Sequence, residues 1–423
     1  MPADLGLDAA AVRALLDTGG VRAVYQPIVD LASADPVAYE ALARGPAGSP
    51  LEWPDRLFAV ARAAGLLAEL DDACRAAALA GARAAGLSRP ATLFVNTEPE
   101  AVAGTSFAAG PRWPGAPDVV VEFTERALTR DPAGLLRTVD RVRELGYGVA
   151  VDDVGAHPAS LALLPLLQPD VVKLDLRLVQ QRPSADVAAI VAAVSAEAER
   201  TGCTLVAEGI ETPDHLATAL ALGATLGQGW LFGRPGPLPA PGSGRAAAPG
   251  TAPLVRRAVQ PRGDLASPFA AVAARRPVRT ADKRLLVELS KHLERQAAEA
   301  GECAVVVAAF QHARHFTPAT ARRFAALADG AVFVGVLAAD LPAQPARGVR
   351  GGRLGPGDPL LEEWDVAVVS PHFAAALVAR DLGDPGAGHG GNEAARRFDA
   401  VLTYDRDLAV EVARCLMSRV APA

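Results

Sequence analysis

The first half of the chain alternates short apolar runs with longer amphipathic ones. TLFVN (92–96), DVVVEFTE (118–125), GVAVDD (148–153), DVVKLD (170–175), TLVAEG (204–209) and GQGWLFG (227–233) are rich in Val, Leu and Phe and read as strands. Helical patterns lie between several of them. AGLLRTVDRVRELG (133–146) stops on Gly146, while SADVAAIVAAVSAEAERTG (184–202) opens on a capping Ser184 and stops on Gly202. Repeated strand–helix units imply parallel strands wrapped by helices, and about 240 residues is the usual size of a (β/α)8 barrel.

From residue 236 the pattern breaks. GPLPAPGSGRAAAPGTAPLVRRAVQPRGD (236–264) is dominated by Pro, Gly and Ala without apolar periodicity, and it reads as a flexible, partly extended linker. Beyond it, DKRLLVELSKHLERQAAEAG carries Leu285, Leu289 and Leu293 at helical spacing. CAVVVAAF, AVFVGVL, DVAVVSP and FDAVLTY follow as strands, with FAAALVARDLG (373–383) reading as a helix among them. The expected organisation is therefore a barrel over 1–237, a linker over 238–264 and a smaller α/β domain over 265–423.

Composition agrees with two soluble globular domains: the chain has 423 residues, half of them hydrophobic and 21% charged. The N-terminus has no basic start followed by an apolar core, so no secretory leader is expected. No apolar stretch approaches the ~20 residues of a membrane span. Cys74, Cys203, Cys303 and Cys415 stand far apart with no CxxC pair, which fits reduced thiols in a cytoplasm. Charge is uneven: residues 1–240 hold 19 Lys+Arg against 29 Asp+Glu, a net of −10, and the rest hold 23 against 19, a net of +4. Neither half is basic enough to imply nucleic-acid binding.

The acidic half places its carboxylates in a pattern. Asn96 closes its strand, Glu122 and Glu125 stand at the end of the next, Asp152 and Asp153 close a third, Lys173 and Asp175 a fourth, and Glu208 and Glu211 a fifth. In a β/α barrel those strand ends converge on one face, where active sites are built. Taken singly, each residue could be a helix cap or a loop carboxylate; five strands ending this way require another reason. Clustered carboxylates repel and would take up protons unless positive charge joined them. Without a histidine cluster, the donor set suits Mg²⁺ or Mn²⁺, and adjacent aspartates suit a pair of ions that activates water at phosphorus. Lys173 could orient that water or neutralise developing charge.

The ordered run YQPIVDL, YEALAR, LFVNTEP, VVEFTE, VAVDDVG, VVKLD, VAEGIE and GQGWLFGRP resembles the EAL domain, the cyclic di-GMP phosphodiesterase family, over residues 10 to 237. The resemblance implies a modified (β/α)8 barrel with an antiparallel first strand. It implies two Mg²⁺ or Mn²⁺ ions, with Glu40, Asn96, Glu122 and Asp152 at one and Asp152 and Asp153 at the other. Lys173 and Glu208 would position or deprotonate water, Glu125 would anchor the loop after the aspartates, and Gln26, Arg44, Glu211 and Gln228 would contact cyclic di-GMP. A homodimer through the barrel is a further implied partner. Where family members commonly read DDFGTGYSSL, this chain reads DDVGAHPASL (152–161), a loop that favours the alternative of a catalytically weak or inactive cyclic di-GMP receptor. The intact Glu40, Asn96, Glu122, Asp152, Asp153, Lys173 and Glu208 favour the phosphodiesterase, hydrolysing cyclic di-GMP to linear pGpG under control of the C-terminal domain. A barrel enzyme for another phosphodiester is the third reading.

Residues 265 to 423 resemble the DICT domain, a sensory module, on patterns such as SPFAAVAARRPVRTADKRLLVELSKHLERQA and PLLEEWDVAVVSPHFAAALVARDL; the resemblance names no ligand. Two other motifs carry less. GAGHGG (386–391) has the GxGxxG spacing but follows a helix-like run rather than a strand, which argues against a dinucleotide fingerprint. His312 and His315 lack nearby Cys or carboxylate partners, and Trp364 reads as core.

Overall fold

A computed structural model describes residues 4–98, 113–124, 130–157, 159–182, 184–239, 254–255, 266–383 and 396–422. The chain forms two compact units: Met1–Ala127 with Thr138–His157 and Pro169–Pro261, and Leu128–Arg137 with Pro158–Gln168 and Arg262–Ala423. The GAGHGG stretch and most of the linker lie outside the described residues. No helix among the described residues is long and apolar enough to cross a membrane.

The first unit is a closed barrel of eight strands: β1 (Arg22–Asp30), β2 (Pro36–Arg44), β3 (Thr92–Asn96), β4 (Asp118–Phe123), β5 (Gly148–Val154), β6 (Val171–Leu174), β7 (Thr204–Ala207) and β8 (Leu226–Gln228). β1 runs antiparallel to both β2 and β8, and every other neighbouring pair is parallel, so the expected modified barrel is present. The expected caps also form. Ser184 Oγ accepts from Val187 N at 3.2 Å, and Gly202 ends that helix at φ 71°.

One strand is shorter than its apolar run. GQGWLFG is extended only through Gln228; Gly229 then packs so close to Ile210 that a Cβ there would stand 2.1 Å from Ile210 O. The chain turns there, with Leu231 N donating to Ile210 O at 3.0 Å.

The barrel interior is filled by a residue from each strand, Ile28, Ala38, Phe94, Val120, Ala150, Val171, Val206 and Leu226, and Val37 of β2 packs in the same cluster. Leu254 and Val255 join the same cluster. A side chain at Gly148, the first residue of β5, would meet Val255 Cγ2 at 3.0 Å, so this pair closes the barrel at the strand starts. Within the expected linker 238–264, the described pair Leu254 and Val255 is packed rather than solvated. Leu254 and Val255 form its isolated apolar pair, and burying them removes apolar surface from water.

The second unit contains a seven-stranded sheet in the order β12-β11-β10-β13-β14-β15-β9. The strands are β9 (Arg279–Asp282), β10 (Val305–His312), β11 (Phe333–Ala339), β12 (Arg350–Arg353), β13 (Glu363–Val369), β14 (Ala374–Asp381) and β15 (Arg397–Thr403). β10, β11 and β12 are parallel and the other pairings antiparallel. The run 373–383, read as a helix, is strand β14. It lies between β13 and β15 with Ala374–Ala379 all buried, and this packing overrides alanine's helix propensity. GAGHGG thus follows a strand after all. Its connection leads to the antiparallel neighbour β15, not into a parallel crossover, so the dinucleotide context is still missing.

Helix Lys283–Ala300 buries Leu286, Leu293 and Ala297 against the sheet. Leu285, expected on that face, is 52% exposed; Leu286 stands in its place. Beyond these elements, Asp365 of β13 is fully buried, and burial together with the neighbouring Glu363 charge drives its pKa well up.

Candidate active site

Side chains on a strand alternate faces, so a residue two positions beyond an interior residue also points inward. Each interior residue of the barrel has a polar residue at that distance. Ala38 is followed by Glu40, Phe94 by Asn96, Val120 by Glu122, Ala150 by Asp152, Val171 by Lys173, Val206 by Glu208 and Leu226 by Gln228. On antiparallel β1 the order reverses, and Gln26 precedes Ile28. The site is therefore a polar layer stacked directly on an apolar one, toward the strand C-terminal ends.

Lys173 sits at its centre, 1% exposed, among four carboxylates. Its Nζ lies 2.7 Å from Glu208 Oε1, 2.9 Å from Glu122 Oε1, and 3.2 Å from both Glu40 Oε2 and Asp152 Oδ1. Amides complete the floor. Asn96 Nδ2 donates to Glu40 Oε1 at 3.0 Å; Gln228 Nε2 donates to Glu40 Oε2 at 2.7 Å and to Gln26 Oε1 at 3.1 Å. Gln26 is held in turn by donating to Gly233 O at 3.2 Å.

Burial and charge divide these groups. Burial works against the Lys173 ammonium, but Asp152, Glu122, Glu208 and Glu40 outweigh it and hold its pKa well above the usual lysine range. Burial raises Glu40, yet Lys173 and the bonds from Gln228 and Asn96 bring it below the normal carboxylate range. Glu122 goes well up through burial and the neighbouring Glu40 and Asp152 charges, against Lys173. Burial pushes Glu208 to about 8, with Lys173 opposing and Asp152 and Glu40 adding to the rise.

Asp152 and Asp153 are consecutive, and a regular strand would send them to opposite faces. The pairing of β5 with β6 shifts register between Val151 and Val154, and Asp153 takes φ 54°, a left-handed conformation that Asp tolerates better than most residues. The irregularity brings Asp152, Asp153 and Glu208 together, with one carboxylate oxygen of each within 4.8 Å of the others. Glu122 Oε2 is buried without a hydrogen-bond partner. A partly buried, oxygen-only donor set with excess carboxylates fits a hard divalent cation.

Beside this floor is a cavity of about 570 Å³ lined by Arg44, Asn96, Asp153, His157 and Arg177 among others. Arg44 reaches it from the end of β2, its guanidinium 5.1 Å from the ring centroid of Trp53, which is 63% exposed. Of the residues expected in the site, Gln26, Glu40, Asn96, Glu122, Asp152, Asp153, Lys173, Glu208 and Gln228 come together, and Arg44 stands at the adjoining cavity. Glu211 is exposed, and its backbone N–H donates to His215 Nδ1 at 3.3 Å. Glu125 lies outside the described residues.

Sequence reasoning missed the other wall. Asp71 and Arg75 pair on helix Leu67–Ala84 and line the cavity, and Asp71 also accepts from Thr97 Oγ1 at 3.1 Å and Glu98 N at 3.0 Å. Their spacing of four in LDDACR signals a helical ion pair, but not which end of the barrel it meets.

Residues 9–235 match the family description of the EAL domain. The chain belongs to the EAL family. Residues 269–382 match DICT, the sensory domain in diguanylate cyclases and two-component systems. Among curated relatives of this EAL protein, cyclic di-GMP phosphodiesterase NbdA of Pseudomonas aeruginosa is 34% identical over 229 residues, 51% of this chain and 29% of that protein. Cyclic di-GMP phosphodiesterase RocR of the same organism is 32% identical over 237 residues, 52% of this chain and 59% of that protein. Neither relative is matched over two thirds of its length. A solved Klebsiella pneumoniae BlrP1 manganese/cyclic-diGMP complex is 32% identical, with a TM-score of 0.45, covering 51% of this chain and 56% of that one.

Proposed function

We propose that the chain is a divalent-metal-dependent phosphodiesterase that opens one ester of cyclic di-GMP to give linear pGpG. The observation that carries the reading is the Lys173 ammonium ringed by Glu40, Glu122, Asp152 and Glu208, with Asp153 at the rim. The two named relatives act on this dinucleotide. Glu40, Asn96, Glu122 and Asp152 would hold one Mg²⁺ or Mn²⁺, and Asp152 with Asp153 a second. Such ions acidify water and neutralise charge developing on phosphoryl oxygens.

The chain's own groups supply the rest. Glu208, with its pKa pushed to about 8, can hold or pass a proton near neutral pH, while Lys173 fixes its position at 2.7 Å. Arg44 offers a planar fork to a phosphate at the cavity it lines, while Gln228 donates to both Gln26 and Glu40 in the floor. The apolar layer beneath excludes water from below.

The test is purified full-length chain with cyclic di-GMP and Mg²⁺ or Mn²⁺, with products separated by chromatography. Linear pGpG is expected, and Asp152→Asn should abolish it while circular dichroism stays that of the parent. Saturable dinucleotide binding without any product would replace the enzyme by the receptor reading that the 152–161 loop favours.

A further inference from the structure

A second cavity, of about 600 Å³, lies wholly within the second unit. Helix Lys283–Ala300 forms one wall, presenting Lys283, Val287, Ser290, Lys291 and Glu294 at a spacing that keeps them on one helical face. The sheet forms another through Phe310, Trp364 and Phe398. Phe310 and Trp364 are register partners, and the Trp364 and Phe398 rings stand edge to face at 5.9 Å.

Three lining residues bear buried polar atoms with no hydrogen-bond partner: Ser290 Oγ, His315 Nε2 and Trp364 Nε1. Ser290 is only 4% exposed. Buried polar groups are satisfied in the great majority of cases, so three orphans around one cavity point to a missing partner. Their chemistry specifies it. Trp364 Nε1–H can only donate. His315 Nδ1 lies 3.0 Å from Phe310 O, a pure acceptor, so Nδ1 carries the proton; burial keeps the ring neutral, and Nε2 is left to accept. Charge adds the last element. Lys283, Lys291, Arg314, Arg323 and Arg396 line the cavity; Arg323 pairs with Glu294 at 2.7 Å, Lys291 with Glu288 at 2.7 Å and Arg396 with Asp381, and Arg314 is exposed.

We propose that this cavity is a ligand site for a small planar aromatic anion, a carboxylate or phosphate that also carries a hydroxyl or N–H donor. The ring lies against Phe310 and Trp364, the donor meets His315 Nε2, Trp364 Nε1–H and Ser290 bind acceptors, and the anionic group faces the basic wall. This inference is independent of the phosphodiesterase reading.

The probe is 1-hydroxy-2-naphthoate, titrated calorimetrically into the full chain beside its neutral amide, 1-hydroxy-2-naphthamide. One equivalent of the anion should bind, with the amide about tenfold weaker for loss of a charge-assisted contact. Arg314→Gln, at an exposed position where folding is unaffected, and Trp364→Phe should each weaken the anion severalfold. Arg44→Ala, in the other unit, should leave it unchanged. No saturable binding at millimolar probe overturns the proposal. So does equal affinity for the amide, or affinity that survives Arg314→Gln and falls with Arg44→Ala.

Discussion

Replacing Lys173 by methionine keeps its length and removes the cation from the middle of four carboxylates. Its Nζ lies between 2.7 Å and 3.2 Å from each of them. At an effective dielectric of ~20, a unit pair about 3 Å apart attracts by roughly 5 kcal/mol. The four acids also repel one another, so the total is far below four such terms. Removing one partner of a buried pair costs about 3–5 kcal/mol. The lower end is expected, because Glu208 already titrates near 8 and Glu122 is pushed well up, so both can take up a proton near neutrality. About 3 kcal/mol lowers the barrel's Tm by about 6–12 °C at roughly 2–4 °C per kcal/mol.

The pH dependence has a definite sign. Carboxylates with folded pKa values above the unfolded ~4.3 contribute fully below that value and lose stability as pH rises through the folded values. The Lys173→Met deficit should therefore shrink toward about pH 5 and widen toward about pH 8. Scanning calorimetry of the full chain in EDTA measures it, with Phe94→Ala, a change in the barrel interior, marking which transition belongs to the barrel. A deficit under about 1 kcal/mol throughout, or one that grows toward acid, would refute the reasoning.

Three other outcomes are expected. Arg44→Ala should raise KM for cyclic di-GMP about tenfold, with kcat within severalfold, as loss of one charge-assisted phosphate contact implies; steady-state kinetics decide, and an unchanged KM removes Arg44 from the substrate. Leu254→Ala should destabilise the barrel transition by about 2–5 kcal/mol, the range for truncating a buried leucine, whereas a free linker would leave it unmoved in calorimetry. Asp365→Asn should make the second unit more stable than the parent at about pH 8, with the advantage fading toward about pH 4; the buried acid must stay protonated in the folded state, and denaturant titrations at the two pH values measure the difference.

Much of the barrel was legible because its evidence is local. Six apolar runs between amphipathic helices imply a parallel wrap, and the caps at Ser184 and Gly202 form as their residue types suggest. The failures have physical reasons. The end of β8 depends on a close approach of Gly229 to Ile210, nineteen positions away in sequence. β14 is an alanine-rich run whose helix preference loses to burial between two strands. In the second unit, Ser290, His315 and Trp364 come from a helix, a turn and a strand, with no shared motif to announce their cavity.

The polar layer of the first site was legible for a reason that goes beyond family likeness. Glu40, Asn96, Glu122, Asp152, Lys173, Glu208 and Gln228 each stand two residues after an apolar residue that fills the barrel. Period two puts both on the inward face, and a closed barrel leaves a polar inward residue no solvent except that at its open end. Apolar, any residue, then charged, repeated at strand ends, is thus what a barrel needs to build a buried ionic floor. Asp153 is the one member that this rule sends outward. It reaches the site through the register shift and its left-handed backbone, which makes the second aspartate the part of the site that strand periodicity alone could not place.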